Sequence, residues 1–393
     1  MRVIVTPLHL TTHLTEMVPL CWALRAAGHE VLVVGAPDLA GVSRAAGLNI
    51  ATVGEPVNMI ESGAPYMPRE LFPAEALGRR DTEAGRELWR QCAAAFAPEA
   101  GQLVDAYLAL SASWRPDLVI TDSMSLLGWA FGAAAGVPAV LYHCGVAPLL
   151  GPFEEQAQLL LEPLRKRLGL PRLPAAAAVL DPCPPSLQAE DAPPGHRVRY
   201  VPYNQAGVLP DWALHRDGAP LVCVSFGSIL AWSGPRPLRA ALDAVAALDG
   251  VEVVVTLSAA NRELLGAVPE HFRLVEALPL NLFLERCDLI VHHGGTGTGL
   301  TAAALGVPQV VLPQWGNGFD FGRRLTEAGA GRSVTDRAGQ DDTDALAGVL
   351  RTVLHDPAFR GSALRLRAEI EALPSPAATV TLLEELARGT ARC

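Results

Sequence analysis

Apolar positions along this chain alternate between two patterns: short β-rich runs, and longer stretches in which apolar residues recur three and four apart. Residues 2–5 form the first short run. Residues 14–27 have helical spacing and end at Gly28, a suitable C-cap, and residues 30–34 form a second short run. Strand, helix and strand in this order specify a parallel sheet with a right-handed crossover. The order returns at residues 117–121, 126–135 and 139–142, so the N-terminal half reads as a doubly wound domain. Prolines at 182, 184, 185, 193, 194, 202, 210 and 220 then interrupt the pattern. Beyond them, residues 221–225, 251–256, 272–275, 289–292 and 309–312 are β-rich with helical segments between, a second doubly wound domain. Residues 377–388 read as a last amphipathic helix.

The predicted fold is therefore α/β, with two doubly wound Rossmann-like domains facing a cleft. The first covers residues 1–201, a linker 202–219, the second domain 220–374, and a C-terminal helix 375–393 is free to pack back on the first domain. Ligands in open parallel sheets bind at the C-terminal ends of strands, so that is where chemistry is sought.

Composition narrows the picture. Of 393 residues half are hydrophobic and only 18% are charged, which suits two packed cores and argues against long disordered segments. Residues 124–142 are nearly long enough to span a bilayer, yet Gly128, Gly132, Gly136 and Pro138 interrupt them, so a buried helix and strand are expected. A formal charge of −10 disfavours nucleic acid and anionic membranes as partners. The seven cysteines contain no C-x-x-C pair and suggest neither zinc site nor disulfide framework. The first residues are too short a run for a signal-peptide core, and a cytoplasmic location is expected.

The sharpest motif is residues 291–299, VHHGGTGTG, which follow a strand and open a helix. Gly295 and Gly297 let the backbone approach an anion, Thr296 and Thr298 offer hydroxyls, and His293 can donate a hydrogen bond, so a pyrophosphate fits. A glycine-rich turn without ligand is the alternative. A dinucleotide fingerprint would need a third glycine where Leu300 stands, and no Walker lysine follows. Ser228 ends the first strand of the second domain, where its hydroxyl could meet the same phosphates or simply close a tight turn.

His13 follows the first strand, and a neutral imidazole is suited to removing a hydroxyl proton; a structural histidine is the plainer alternative. Asp122 ends the strand at 118–121 and could hold that imidazole or cap the helix starting near Met124. The region 56–92, with Met59, Tyr66, Met67, Phe72 and Trp89, could bind an apolar ligand or serve as ordinary core. Met124 and His143, at strand ends, are further candidates on that side.

These residues bring a family into view. The chain resembles the inverting, nucleotide-sugar-dependent glycosyltransferases of GT-B fold that decorate antibiotic polyketides, closest to those acting on aromatic polyketides of angucycline or tetracycline type. The resemblance spans essentially the whole chain and rests on Thr12-His13-Leu14 with Met17-Val18-Pro19, on residues 23–29 (ALRAAGH), 200–203 (YVPY), 292–298 (HHGGTGT) and 313–315 (PQW), and for the closer assignment on residues 80–85 and 181–186. It implies a transfer of a deoxysugar from a dTDP- or UDP-sugar to an aromatic polyketide aglycone, as an O- or C-glycoside. It implies His13 as general base with Asp122 as its partner; for a C-glycoside either would deprotonate a phenol. Leu278 falls where relatives bind the base through backbone groups. Asn317-Gly318 stands where many relatives carry an Asp-Gln pair for sugar hydroxyls, a departure that leaves Asp320 to replace one contact and suggests a deoxysugar.

The resemblance implies no cofactor and no metal. The acidic residues 341–344 read as caps of the helix 345–354 rather than a cation site. A homodimer is compatible with this reading. Two other functions stay open from the sequence: a nucleotide-sugar epimerase on the same plan, and a non-catalytic accessory protein that binds sugar nucleotides.

Overall fold

The structure, a computed structural model, describes residues 1–59, 69–79, 82–95, 97–146, 150–167, 169–172, 175–214, 218–266, 268–276 and 278–389. The expectations placed on Tyr66, Met67, Arg80 and Asp81 lie outside the described residues, as does Cys393.

Two parallel sheets organise the chain. The first contains β1 (Arg2–Thr6), β2 (Glu30–Gly35), β3 (Asn49–Thr52), β4 (Leu118–Asp122), β5 (Ala139–Tyr142), β6 (Ala178–Asp181) and β7 (His196–Arg197), in the order β3-β2-β1-β4-β5-β6-β7. The second contains β8 (Leu221–Ser225), β9 (Glu252–Leu257), β10 (Arg273–Glu276), β11 (Leu289–His292), β12 (Gln309–Val311) and β13 (Gly331–Ser333), in the order β10-β9-β8-β11-β12-β13. Helices cover both faces of each sheet, which is why β1 and β8 read as continuous apolar runs rather than alternating ones. The strand order reverses between β1 and β4 and again between β8 and β11. Open sheets part their connections to opposite faces at such points and leave a crevice there.

Five helices position the site and join the two domains: α1 (Thr11–Ala26), α2 (Leu126–Ala135), α3 (Thr296–Ala304), α4 (Gly318–Glu327) and α5 (Pro376–Ala387). α1 starts a turn earlier than the apolar spacing predicts. Leu10 has an extended backbone and Thr11 and Thr12 are polar, so the first turn carries no apolar signal, and His13 stands inside the helix rather than in a loop. α5 lies against α1, with Val380, Leu383 and Leu386 in the same core as Leu14, Met17 and Leu24.

One segment departs from the domain plan. Phe72, fully buried, packs into the core of the second domain with Val222, Val224 and Phe226. Arg236 and Arg337 both donate to its carbonyl, and Ala74 N–H donates to the carbonyl of Gln314 at 3.0 Å. The excursion after β3 thus crosses from the first sheet to the second. Among the described residues no helix is long and apolar enough to cross a membrane; residues 126–135 and 139–142 form α2 and β5.

Candidate active site

The two crevices face each other across a cavity of about 400 Å³. From the first domain it is lined by His13, Glu16, Met59 and Met124; from the second by Ser228, His293, Asn317 and the run from Gly295 to Thr298.

Thr11, Thr12 and His13 make up the first turn of α1 just beyond β1, and Asp122 is the last residue of the adjacent strand β4. The sheet therefore sets both side chains at one switch point. His13 Nδ1 lies 2.5 Å from Asp122 Oδ2, and Asp122 is wholly buried behind it. Asp122 Oδ1 accepts from the backbone N–H of Met124 at 2.7 Å and Oδ2 from the Cys144 thiol at 3.2 Å. The three donor atoms of His13, Asp122 and Cys144 lie within 4.8 Å of one another, a closeness their hydrogen bonds account for. The helix-cap alternative for Asp122 is corrected: Ser125 caps α2 by accepting from Gly128 N–H.

Burial alone would raise the Asp122 pKa, but the charge and hydrogen bond of His13, with Met124 and Cys144, outweigh it and hold the carboxyl below its usual range. Burial likewise disfavours the His13 cation, and there too the charge and hydrogen bond of Asp122 prevail and raise the pKa above 6.5. The dyad stores a proton more readily than free imidazole does.

On the facing side, β11 leads through Gly294, at φ +86°, into α3, whose first residues Thr296, Gly297 and Thr298 leave backbone N–H groups without helical partners. Glycine is required here by close approach. A Cβ at Gly295 would stand 2.3 Å from His293 Cε1, and one at Gly227 3.3 Å from His293 Nε2. Burial pushes His293 down to about 4 and His292 to about 3, so both rings are neutral at pH 7. Neutral His293 can donate one N–H into the cavity beside the free amides, a setting suited to an anion. Asn317 Nδ2 donates to the carbonyl of Val146 at 3.0 Å and reaches Thr296 Oγ1 at 3.5 Å, tying this loop to the first domain.

Four expected contacts stand outside the cavity lining. Phe72 belongs to the second core, since a large ring in a proline-rich segment found an apolar site across the cleft. His143 is wholly buried at the end of β5, with its backbone N–H on the Leu180 carbonyl. Leu278 is half-buried against the cluster of Phe283 and Val275. Asp320 lies in the first turn of α4, buried, with Arg323 at 3.4 Å.

The reading from sequence missed Glu16, Cys144, Asn204 and Gln205, which also line the cavity. Glu16 had a signal: a lone acid inside the apolar run 14–20, one turn after His13 and so on the same helix face. Asn204 and Gln205 fall in the expected linker and had none.

Comparison with known proteins agrees with this architecture. Residues 22–227 match the family model of the erythromycin biosynthesis protein CIII-like N-terminal domain, and residues 239–386 that of the corresponding C-terminal domain. L-demethylnoviosyl transferase of Streptomyces niveus is 39% identical over 384 residues, 96% of each chain. Tylactone mycaminosyltransferase of Streptomyces fradiae is 34% identical, over 98% of this chain and 92% of its own. Among solved structures, a spinosyn rhamnosyltransferase superposes with a TM-score of 0.90 at 44% identity, covering 98% of this chain and 100% of that one. That protein has also been solved with thymidine diphosphate and with the spinosyn aglycone.

Proposed function

This chain belongs to the EryCIII-like family of antibiotic glycosyltransferases, with the GT-B fold, and on that premise we propose that it moves a deoxysugar from a dTDP-sugar to a polyketide aglycone with inversion. The observation that carries the reading is the His13–Asp122 pair facing the glycine-rich start of α3 across one cavity.

The chemistry divides between the halves. With Nδ1 held by Asp122, His13 has Nε2 left to take the proton of an acceptor hydroxyl or phenol, and the buried carboxylate stabilises the imidazolium that forms. The oxygen or activated carbon so exposed attacks the anomeric carbon, the bond to the diphosphate breaks, and the nucleotide leaves with the electron pair. Backbone N–H groups at the start of α3, the hydroxyls of Thr296 and Thr298 and the neutral His293 meet the charge that develops there. These donors support a reaction that needs no metal ion. Met59, Met124, Trp89, Trp232 and Trp315 give the rest of the wall an apolar character suited to an aglycone. The thymidine choice is supported by the thymidine diphosphate complex of the spinosyn relative.

The test is mass spectrometry of reactions containing dTDP-deoxysugars and a panel of polyketide aglycones, followed by acid treatment of the product. A glycoside with release of thymidine diphosphate that depends on the acceptor is expected, acid lability marking an O-link and stability a C-link. Conversion of the donor sugar without any acceptor would replace this reading with an epimerase.

A further inference from the structure

Glu16 stands on α1 one turn beyond His13, and its carboxyl reaches the start of α3: Oε1 lies 3.6 Å from the place a Cβ on Gly297 would take. The residue is only 6% exposed, lines the cavity, and its Oε2 is buried with no hydrogen-bond partner. The groups facing it are His13 on its own helix, Asp122 at the end of β4, Tyr142 on β5, Cys144 just after β5, and Tyr200. The Tyr142 hydroxyl donates to the backbone carbonyl of Glu16, not to its carboxyl. Among the described residues neither lysine nor arginine pairs with it, and the only cation at hand is a protonated His13, which Asp122 already holds.

A carboxylate so placed is desolvated and set beside a second carboxylate. Burial first, then the repulsion of Asp122, push Glu16 up to about 8 against the opposing pull of His13 and Cys144. At pH 7 it is a neutral acid, and a neutral acid carries one O–H that needs an acceptor. The described residues offer none to the buried Oε2, so the proton belongs on Oε1, the oxygen that faces the start of α3. The cavity beside Gly297 is where the family reading seats the diphosphate.

We propose that Glu16, as a neutral acid, donates a hydrogen bond to a phosphate oxygen of the nucleotide diphosphate at the start of α3, so that ionisation of Glu16 turns donor binding off. The inference rests on the nucleotide-sugar reading. Its sign is definite: the ionised form both loses the donated hydrogen and repels the phosphate, so affinity is held at neutral pH and lost as pH rises through the Glu16 pKa.

The experiment is calorimetric titration of the full chain with thymidine diphosphate from about pH 7 to about pH 9.5, for the native protein, Glu16→Gln and Glu16→Ala. The native affinity should hold to about pH 8 and then fall by up to roughly tenfold per pH unit. Glu16→Gln keeps an N–H donor without a titrating group, so its curve should stay flat and close to the native neutral value. Glu16→Ala should bind more weakly at pH 7 and also lose the slope. His13, whose pKa is also raised, loses its proton as pH rises, and the Gln variant, which retains His13, isolates that effect. An identical slope in the native and Gln proteins overturns the proposal. A flat native curve above about pH 8 overturns it without any variant. Absence of binding at every pH overturns both it and the donor reading, whereas tight but flat binding removes only Glu16.

Discussion

His13 Nδ1 sits 2.5 Å from Asp122 Oδ2, a bond that joins the first turn of α1 to the last residue of β4 across the reversal point of the first sheet. Nothing in the second domain is needed to build it. Donor binding and proton removal are therefore separable by mutation. His13→Ala is expected to lower kcat by about 10²–10⁴-fold while thymidine diphosphate binds as before. Calorimetry beside a transfer assay checks both halves, and unchanged turnover would remove His13 as the base.

Asp122→Asn should show how the dyad sets its working pH. Because the active base is neutral imidazole, the rate is low below the raised His13 pKa and climbs as pH passes through it. The asparagine variant loses the charge that raised the pKa and leaves burial to lower it. Its acid limb should move to lower pH while the plateau rate falls about 10²-fold or more. A limb that stays in place would mean that some other group controls it.

The parts legible in the sequence are those with a local cause. The β1, α1, β2 succession and the run 291–299 announce themselves through apolar period and glycine spacing, and they position His13 and the start of α3. Asp122 was legible because it ends an apolar strand. Phe72 was not: its destination is the far core, and no local pattern distinguishes a ring that packs across a cleft from one that lines it. Glu16 was passed over because its meaning comes from what faces it, namely Asp122, Cys144 and Gly297 on three other elements. His143 shares its strand-end position and its full burial with Asp122, yet its ring nitrogens meet no hydrogen-bond partner among the described residues while Asp122 holds His13, a difference that position in sequence does not record.

Gly145 brings the loop after β5 against the first residue of α3. It has φ +78°, and a Cβ there would lie 1.9 Å from Thr296 Cγ2. Gly145→Ala must therefore push the start of α3 away as well as strain its own backbone, at a cost above about 1 kcal/mol. Thymidine diphosphate affinity should fall with it, by roughly tenfold for each 1.4 kcal/mol that the displaced amides lose. Adding Thr296→Ser removes the clashing methyl and should restore part of the affinity, leaving the cost of the strained backbone at position 145. If the double variant binds no better than the single one, contact with Thr296 is not the cause.

The last helix supplies a test of how the two domains share stability. α5 follows the second domain in sequence, yet Leu383 is fully buried in the first domain's core, and Glu384 meets His29 at 3.0 Å. Truncating such a leucine to alanine costs about 2–5 kcal/mol, the lost transfer energy plus the cavity left behind. Because the chain returns from one core to the other, unfolding the first core frees α5 from its place and pulls on the second. Leu383→Ala is expected to lower the urea midpoint of both halves together, read by fluorescence and by residual thymidine diphosphate binding, while Thr381→Ala on the exposed face of the same helix leaves it unchanged. kcat below the midpoint should stay near native, since no residue of the helix is among those that line the cavity. A variant in which binding survives a separate, earlier loss of the first core would show that the two domains unfold independently despite the strap between them.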